Sequence, residues 1–186
     1  MAGNTLVGAP LSATGGVLVG AANAALPTDA SAVLTGFRPL GLIGEDGLSE
    51  TADRSTEQIR AWGGSLARVV QTEFGLSYTF QFIETNRDVL REVHGAANVT
   101  AGTGENSLAI KINKEQLPIK PYVFEVKDGE NRIRIVIPRG QITAVGDVTY
   151  SHNDIIRYEV TISCYADDAG NEGYKFISGP GLAVAA

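Results

Sequence analysis

With 186 residues, 44% of them hydrophobic and 19% charged, the chain fits a single soluble domain with room for a substantial core. A net charge of -6 and a pI near 4.9 argue against a protein that grips phosphate backbones, because that affinity comes from Lys and Arg releasing counterions. The single cysteine, Cys164, excludes an internal disulfide and a cysteine-rich metal site, and His94 and His152 lack metal-ligand spacing.

In chain order, Gly16 to Leu26 is apolar and small, but no Lys or Arg precedes Arg38, so the basic start of a signal sequence is missing. Gly20 and Asn23 interrupt the stretch, which is too short to span a bilayer. It reads as a Gly/Ala-rich arm over residues 1–32, loose alone and ordered by a neighbour. Asn98-Val99-Thr100 is a glycosylation sequon, read as chance without an export signal.

A β domain is expected over 33–178, with a C-terminal tail over 179–186. Its first segment, Gly41 to Gly64, reads as a long loop. Glu45, Asp46, Glu50, Asp53, Arg54, Glu57 and Arg60 alternate in charge, and Ile59 and Trp62 interrupt them. Loops of that length usually bind something, and a tryptophan among arginines and carboxylates is interface composition. The alternative is that Trp62 anchors the loop to its own sheet.

Strands follow. Leu76, Tyr78, Phe80 and Phe82 alternate with Ser77, Thr79 and Gln81. A helix is expected over 85–95, with Thr85 as cap, Asp88 three residues on, Val89, Leu90 and Val93 as its apolar stripe and Gly95 as its stop. Leu108 to Ile112 alternates, and Tyr122 to Lys127 and Arg132 to Ile137 form a hairpin about Asp128-Gly129. Pro138-Arg139-Gly140 is expected to break that run before a strand over about Gln141 to Tyr150, bent at Gly146-Asp147. In the longest strand Ile156, Tyr158, Val160, Ile162 and Cys164 point one way while Arg157, Glu159, Thr161 and Ser163 point the other. A last strand runs from Tyr174 to Ile177. Such alternation belongs to antiparallel sheets with one face buried and one wet.

Catalytic patterns fail. Asp167, Asp168, Asn171 and Glu172 do not complete a calcium loop and read as a polar hairpin tip. Gly63-Gly64 is not followed by Lys-Ser/Thr, and no Gly-x-Ser-x-Gly elbow occurs. The chain is expected not to be an enzyme and to need no cofactor or metal.

Several pieces in ordered succession carry a resemblance: LPTDASAVL at Leu26 to Leu34, FRPLGLIGEDGLSET at Phe37 to Thr51, STEQIRAWGG at Ser55 to Gly64, VVQTE at Val69 to Glu73, and FIETNRDVLREVHG at Phe82 to Gly95. Through them the chain resembles the major tail tube proteins of long-tailed, actinobacterial phages. The second half matches mainly in strand pattern.

The resemblance implies an antiparallel β-sandwich or half-barrel with one short flanking helix. It implies hexameric rings that stack head to tail into a long non-contractile tail, the conduit for viral DNA ejection, assembled in the host bacterial cytoplasm. Partners would be other copies, the tape measure, tail terminator and distal tail proteins, and passing DNA held without specific binding; no membrane is implied. The Gly41–Gly64 loop would reach the next ring. The lumen wall would be a polar strand face, Ser77, Thr79 and Gln81 or Glu159, Thr161 and Ser163, with Arg157 awkward there unless paired. A capsid decoration or head–tail joining protein, and a stand-alone β-sandwich binding module using Trp62 or Tyr165, remain as alternatives.

Overall fold

The computed structural model describes residues 5–12, 16–104 and 106–180. Along the chain they form β1 (Ala9–Pro10), β2 (Val17–Gly20), β3 (Phe37–Pro39), β4 (Ile43–Arg60), β5 (Leu66–Phe82), α1 (Arg87–His94), β6 (Val99–Ala101), β7 (Leu108–Ile110), β8 (Lys120–Asp128), β9 (Asn131–Val145), β10 (Tyr158–Cys164) and β11 (Tyr174–Ser178). Nine strands make one antiparallel sheet ordered β3-β2-β8-β9-β10-β5-β4, with β1 beside β8 and β11 beside β9; β6 and β7 pair separately. The fold is therefore mainly β with one short flanking helix, as the alternation predicts.

The sheet closes over itself because β9 serves two halves. Its first half pairs with β8 on one edge and β11 on the other, and its second half pairs with β10. Side chains at alternate positions then meet across the fold: Phe124 on β8 lies 5.4 Å from the Tyr78 ring and 5.6 Å from that of Phe80 on β5. Phe82, Ile137, Val160 and Ile162 complete this core, and Val89, Leu90 and Val93 of α1 cover one end.

The strand expected to be the longest, β10, has 7 residues against 18 in β4, because β4 keeps pairing with β5 beyond the body, and three further sequence expectations change. The helix starts at Arg87, and its cap is Asn86, whose side chain accepts from the Val89 amide at 2.8 Å. Thr85 instead shares a hydrogen bond with the Tyr158 hydroxyl. Second, Pro138 does not break the run: β9 passes through it to Val145, then ends before Gly146. A register shift against β8 falls at Lys120/Tyr122, and such irregularities are where a ladder tolerates a residue without an N–H. Gly140 is needed close by, since a Cβ there would meet Tyr122 at 2.8 Å and Ile162 at 2.9 Å.

Third, the N-terminal region is not a loose arm where it is described. Val17 and Val19 are buried in β2, and the next segment is bolted down. Arg134 pairs with Glu125 at 2.5 Å, both side chains almost wholly buried, and donates to the Asp29 and Ala32 carbonyls at 2.9 and 2.8 Å. A second buried carboxylate, Glu92 on α1, takes Lys120 at 2.9 Å and Arg38 at 2.6 Å and so fastens the helix to β8 and β3. The expected C-terminal tail falls outside the described residues from 181 onward.

Candidate assembly surface

The outer side of β5 and β10 is a continuous polar wall. Their register sets Glu159 opposite Gln81, Thr161 opposite Thr79, and Ser163 opposite Ser77. The two sets that the sequence offers as alternatives are thus one face. Thr79 and Thr161 share a hydrogen bond at 3.1 Å, and Gln81 donates to Glu159 at 3.0 Å. Ser49 and Thr51 extend the wall along β4, opposite Thr79 and Ser77. On β9 a bulge sets Thr143 within 2.7 Å of Ser163. Hydroxyls, one amide and the Glu159 carboxylate make up this surface, and no Lys or Arg stands among these residues. Arg157, beyond its end, pairs with Asp154 at 3.0 Å and not with Glu159.

Both edges of this four-stranded patch are open. β4 is the last strand of the sheet, with β5 as its single partner among the described residues. At the other side β8 ends its pairing with β9 at Gly140, so Ile142 to Val145 have no strand on that edge among the described residues. An unpaired edge invites another strand.

The segment expected to be a loop is instead half of a long hairpin. β4 runs for 18 residues and pairs with β5 from Leu48 to Arg60, turning at Ala61 to Ser65 through Gly63 and Gly64 at positive φ. From Ala52 to Gly75 both strands leave the body, and all but Val70 are exposed. The sequence hid this because a strand wet on both sides has no apolar alternation to show.

Pairing assigns the arm two faces. One continues the core side, where Arg54 opposes Phe74, Gln58 opposes Val69, and Arg60 opposes Leu66. The Arg54 guanidinium lies 4.5 Å from the Phe74 ring centre, and Leu66 and Val69 are half-exposed. The other continues the polar wall with Asp53, Glu57 and Ile59. Trp62 stands fully in solvent at the tip, so the reading that it anchors the segment to its own sheet is excluded.

The root of the arm is clamped. Glu50 takes Lys175 of β11 at 2.6 Å and the Tyr78 hydroxyl at 2.7 Å, and Glu172 accepts from the Leu76 amide at 2.9 Å. Partial burial raises the Glu50 pKa, but the hydrogen bonds from Lys175 and Tyr78 outweigh it, and the carboxyl sits below its ordinary range. A depressed carboxyl adds stability that is present above its unfolded pKa and lost as pH falls through the folded one. Lowering pH from 7 to 3 is therefore expected to shift the urea midpoint further in the wild type than in Glu50→Gln; equal shifts would show that the clamp adds no linkage.

A comparison with protein families decides what this surface belongs to. The family described as phage tail tube protein matches residues 2–184. The chain belongs to that family. It is accordingly a structural protein of the virion tail and not an enzyme.

No curated protein matches this tail tube protein. Among solved structures, it is similar at 10% identity and TM-score 0.47 to a chain of an extracellular contractile injection system, the PVC sheath-tube complex in its extended state, covering 91% of each chain. It is also similar at 12% identity and TM-score 0.47 to the anti-feeding prophage cap, covering 96% of this chain and 99% of that one. A chain in the virion of a native gene transfer agent particle matches at 13% identity and TM-score 0.40, covering 77% and 89%. Likeness of this degree carries nothing about function.

The residues expected in the stacking loop do not form one cluster in the tail tube protein. Glu45 and Asp46 lie in the bulged start of β4, where the register shifts between Ile43 and Leu48. Glu50 belongs to the root clamp. Asp53, Arg54, Glu57, Ile59 and Arg60 are spread along the arm, and Trp62 caps it. Sequence reasoning missed Ser49, Thr51 and Thr143 on the wall, and Phe74, Val69 and Leu66 on the arm. Register alone brings these together. Cys164 is buried as expected, and burial pushes its thiol up to about 12.

Proposed function

We propose that six copies join edge to edge through the open edges of β4 and β9, with the polar wall facing inward, and that the rings stack into a tube conducting viral DNA. The observation carrying this reading is the four-stranded polar face with an unpaired strand at each side. Joined laterally, such patches leave neither edge of the wall exposed.

Size supports six. With strands about 4.8 Å apart and tilted by about 40°, roughly 24 strands close a ring about 50 Å across between backbones. Side chains leave about 40 Å clear, whereas three copies would leave about 15 Å, too narrow for a duplex. The chemistry of the wall suits passage: its Ser, Thr, Gln and Glu159 side chains carry no cation, Arg157 at its end is held by Asp154, and like charge repels phosphate.

The arm, standing clear of the body and ending in Trp62, supplies contact between rings. Head-to-tail contacts of this sort need not close and so generate filaments. Negative-stain microscopy of the purified protein over a range of concentrations is expected to show rings and hollow tubes. Rings that never stack would favour a head–tail joining protein instead. Monodisperse single copies at every concentration would overturn the reading.

A further inference from the structure

We propose that the Trp62 tip of one copy seats in an apolar groove at the root of the arm of the next copy, a receiving surface whose assignment rests on the tube reading above. The groove has a volume of about 500 Å³ and lies between the bulged start of β4 and the β8–β9 face, with Ile43, Leu48, Val126, Ile133 and Ile177 in its lining. An indole buries some 150–250 Å² of surface, which a groove of this size accommodates.

The tip and groove of one chain do not meet. Leu48 helps to line the groove, and from it β4 runs twelve residues to Arg60 at the foot of the turn that carries Trp62; at about 3.3 Å per residue the two lie roughly 40 Å apart. The occupant is therefore a second copy. A protruding apolar tip and a distant apolar groove on one chain make a self-propagating contact.

Charge agrees. Arg60 and Arg68 flank the tip, and Arg68, opposite Ile59, has no ion-pair partner among the described residues. Glu45, exposed in the groove lining, likewise has none, while the groove's Lys175 is already held by Glu50. Docking brings the free cation of one copy towards the free anion of the next.

Full-length protein with a photoreactive benzophenone side chain in place of Trp62 is assembled from isotope-labelled and unlabelled copies, irradiated and digested. Mixed-isotope adducts on peptides carrying Ile43 to Leu48 or Val126 to Ile133 are expected. Tubes whose adducts fall on another tip or on α1 would overturn the docking and leave the tube reading intact, whereas adducts on Gly8 or Pro10, which also line the groove, would support it; absence of any assembly by the wild-type protein would overturn both. Because Glu45 is exposed, Glu45→Arg keeps the fold testable by circular dichroism. It is expected to raise the concentration needed for tubes by about tenfold, as facing like charges do, and Arg68→Glu in the same chain is expected to restore it. No change with Glu45→Arg, or no rescue, would count against the assignment.

Discussion

Replacing Ala52 to Gly75 with a short turn is expected to leave a folded protein that no longer forms tubes. No residue in that span is part of the core, and the root clamp of Glu50, Tyr78 and Lys175 lies outside it. The melting temperature should therefore move by less than roughly 4 °C, the scale of about 1 kcal/mol in a chain of this size. Removing Glu50 to Arg60 alone is a poorer experiment. It would take the partner strand from β5 and the carboxylate from Lys175, so loss of tubes could follow from damage to the body. Tubes of normal appearance from the protein lacking both halves of the arm would sink its assembly role.

Arg134→Ala is expected to cost about 3–5 kcal/mol, because it leaves the Glu125 carboxylate buried without its cation. At 2–4 °C per kcal/mol this is a fall of roughly 6–20 °C in the melting temperature. Arg134 also holds the Asp29 and Ala32 carbonyls, so a variant with both Glu125→Leu and Arg134→Met should recover the burial cost but not the anchorage of residues 29–32. Faster protease cleavage near Asp29 with partial recovery of the melting temperature would be the signature. A loss below about 1 kcal/mol in Arg134→Ala would mean that the pair is solvated, as surface pairs are.

What the sequence revealed follows from how many faces each segment buries. Tyr78, Phe80, Phe82, Tyr158, Val160 and Ile162 have water on one side only, so their alternation announced both the strands and their orientation. Glu57, Gln58 and Ile59 have water on both sides, and nothing in their order separates a strand from a charged loop. Pro138 and Gly140 carry turn chemistry that β8 and Tyr122 override. The wall was half legible: either polar set could be read from its own strand, but only the β5–β10 register makes Thr79 and Thr161 neighbours. Thr85 and Asn86 are both residue types that cap; the backbone at Asn86 is extended and its carbonyl receives the Leu90 amide, which fixes the choice.

The arm also bears on how subunits are added. A two-stranded ribbon with solvent on both faces gains little from its own pairing, so its local opening free energy falls from the clamped root towards Trp62. Free copies in solution would then open the outer ladder readily, with fast amide exchange near Ile59 and Arg68 and slow exchange near Tyr78. In the proposed stacking, capture would supply the missing layer, and the ordering cost would fall at that moment. Each such joint would be weaker than its contact area suggests, and a wrongly placed subunit could leave before the next one covered it.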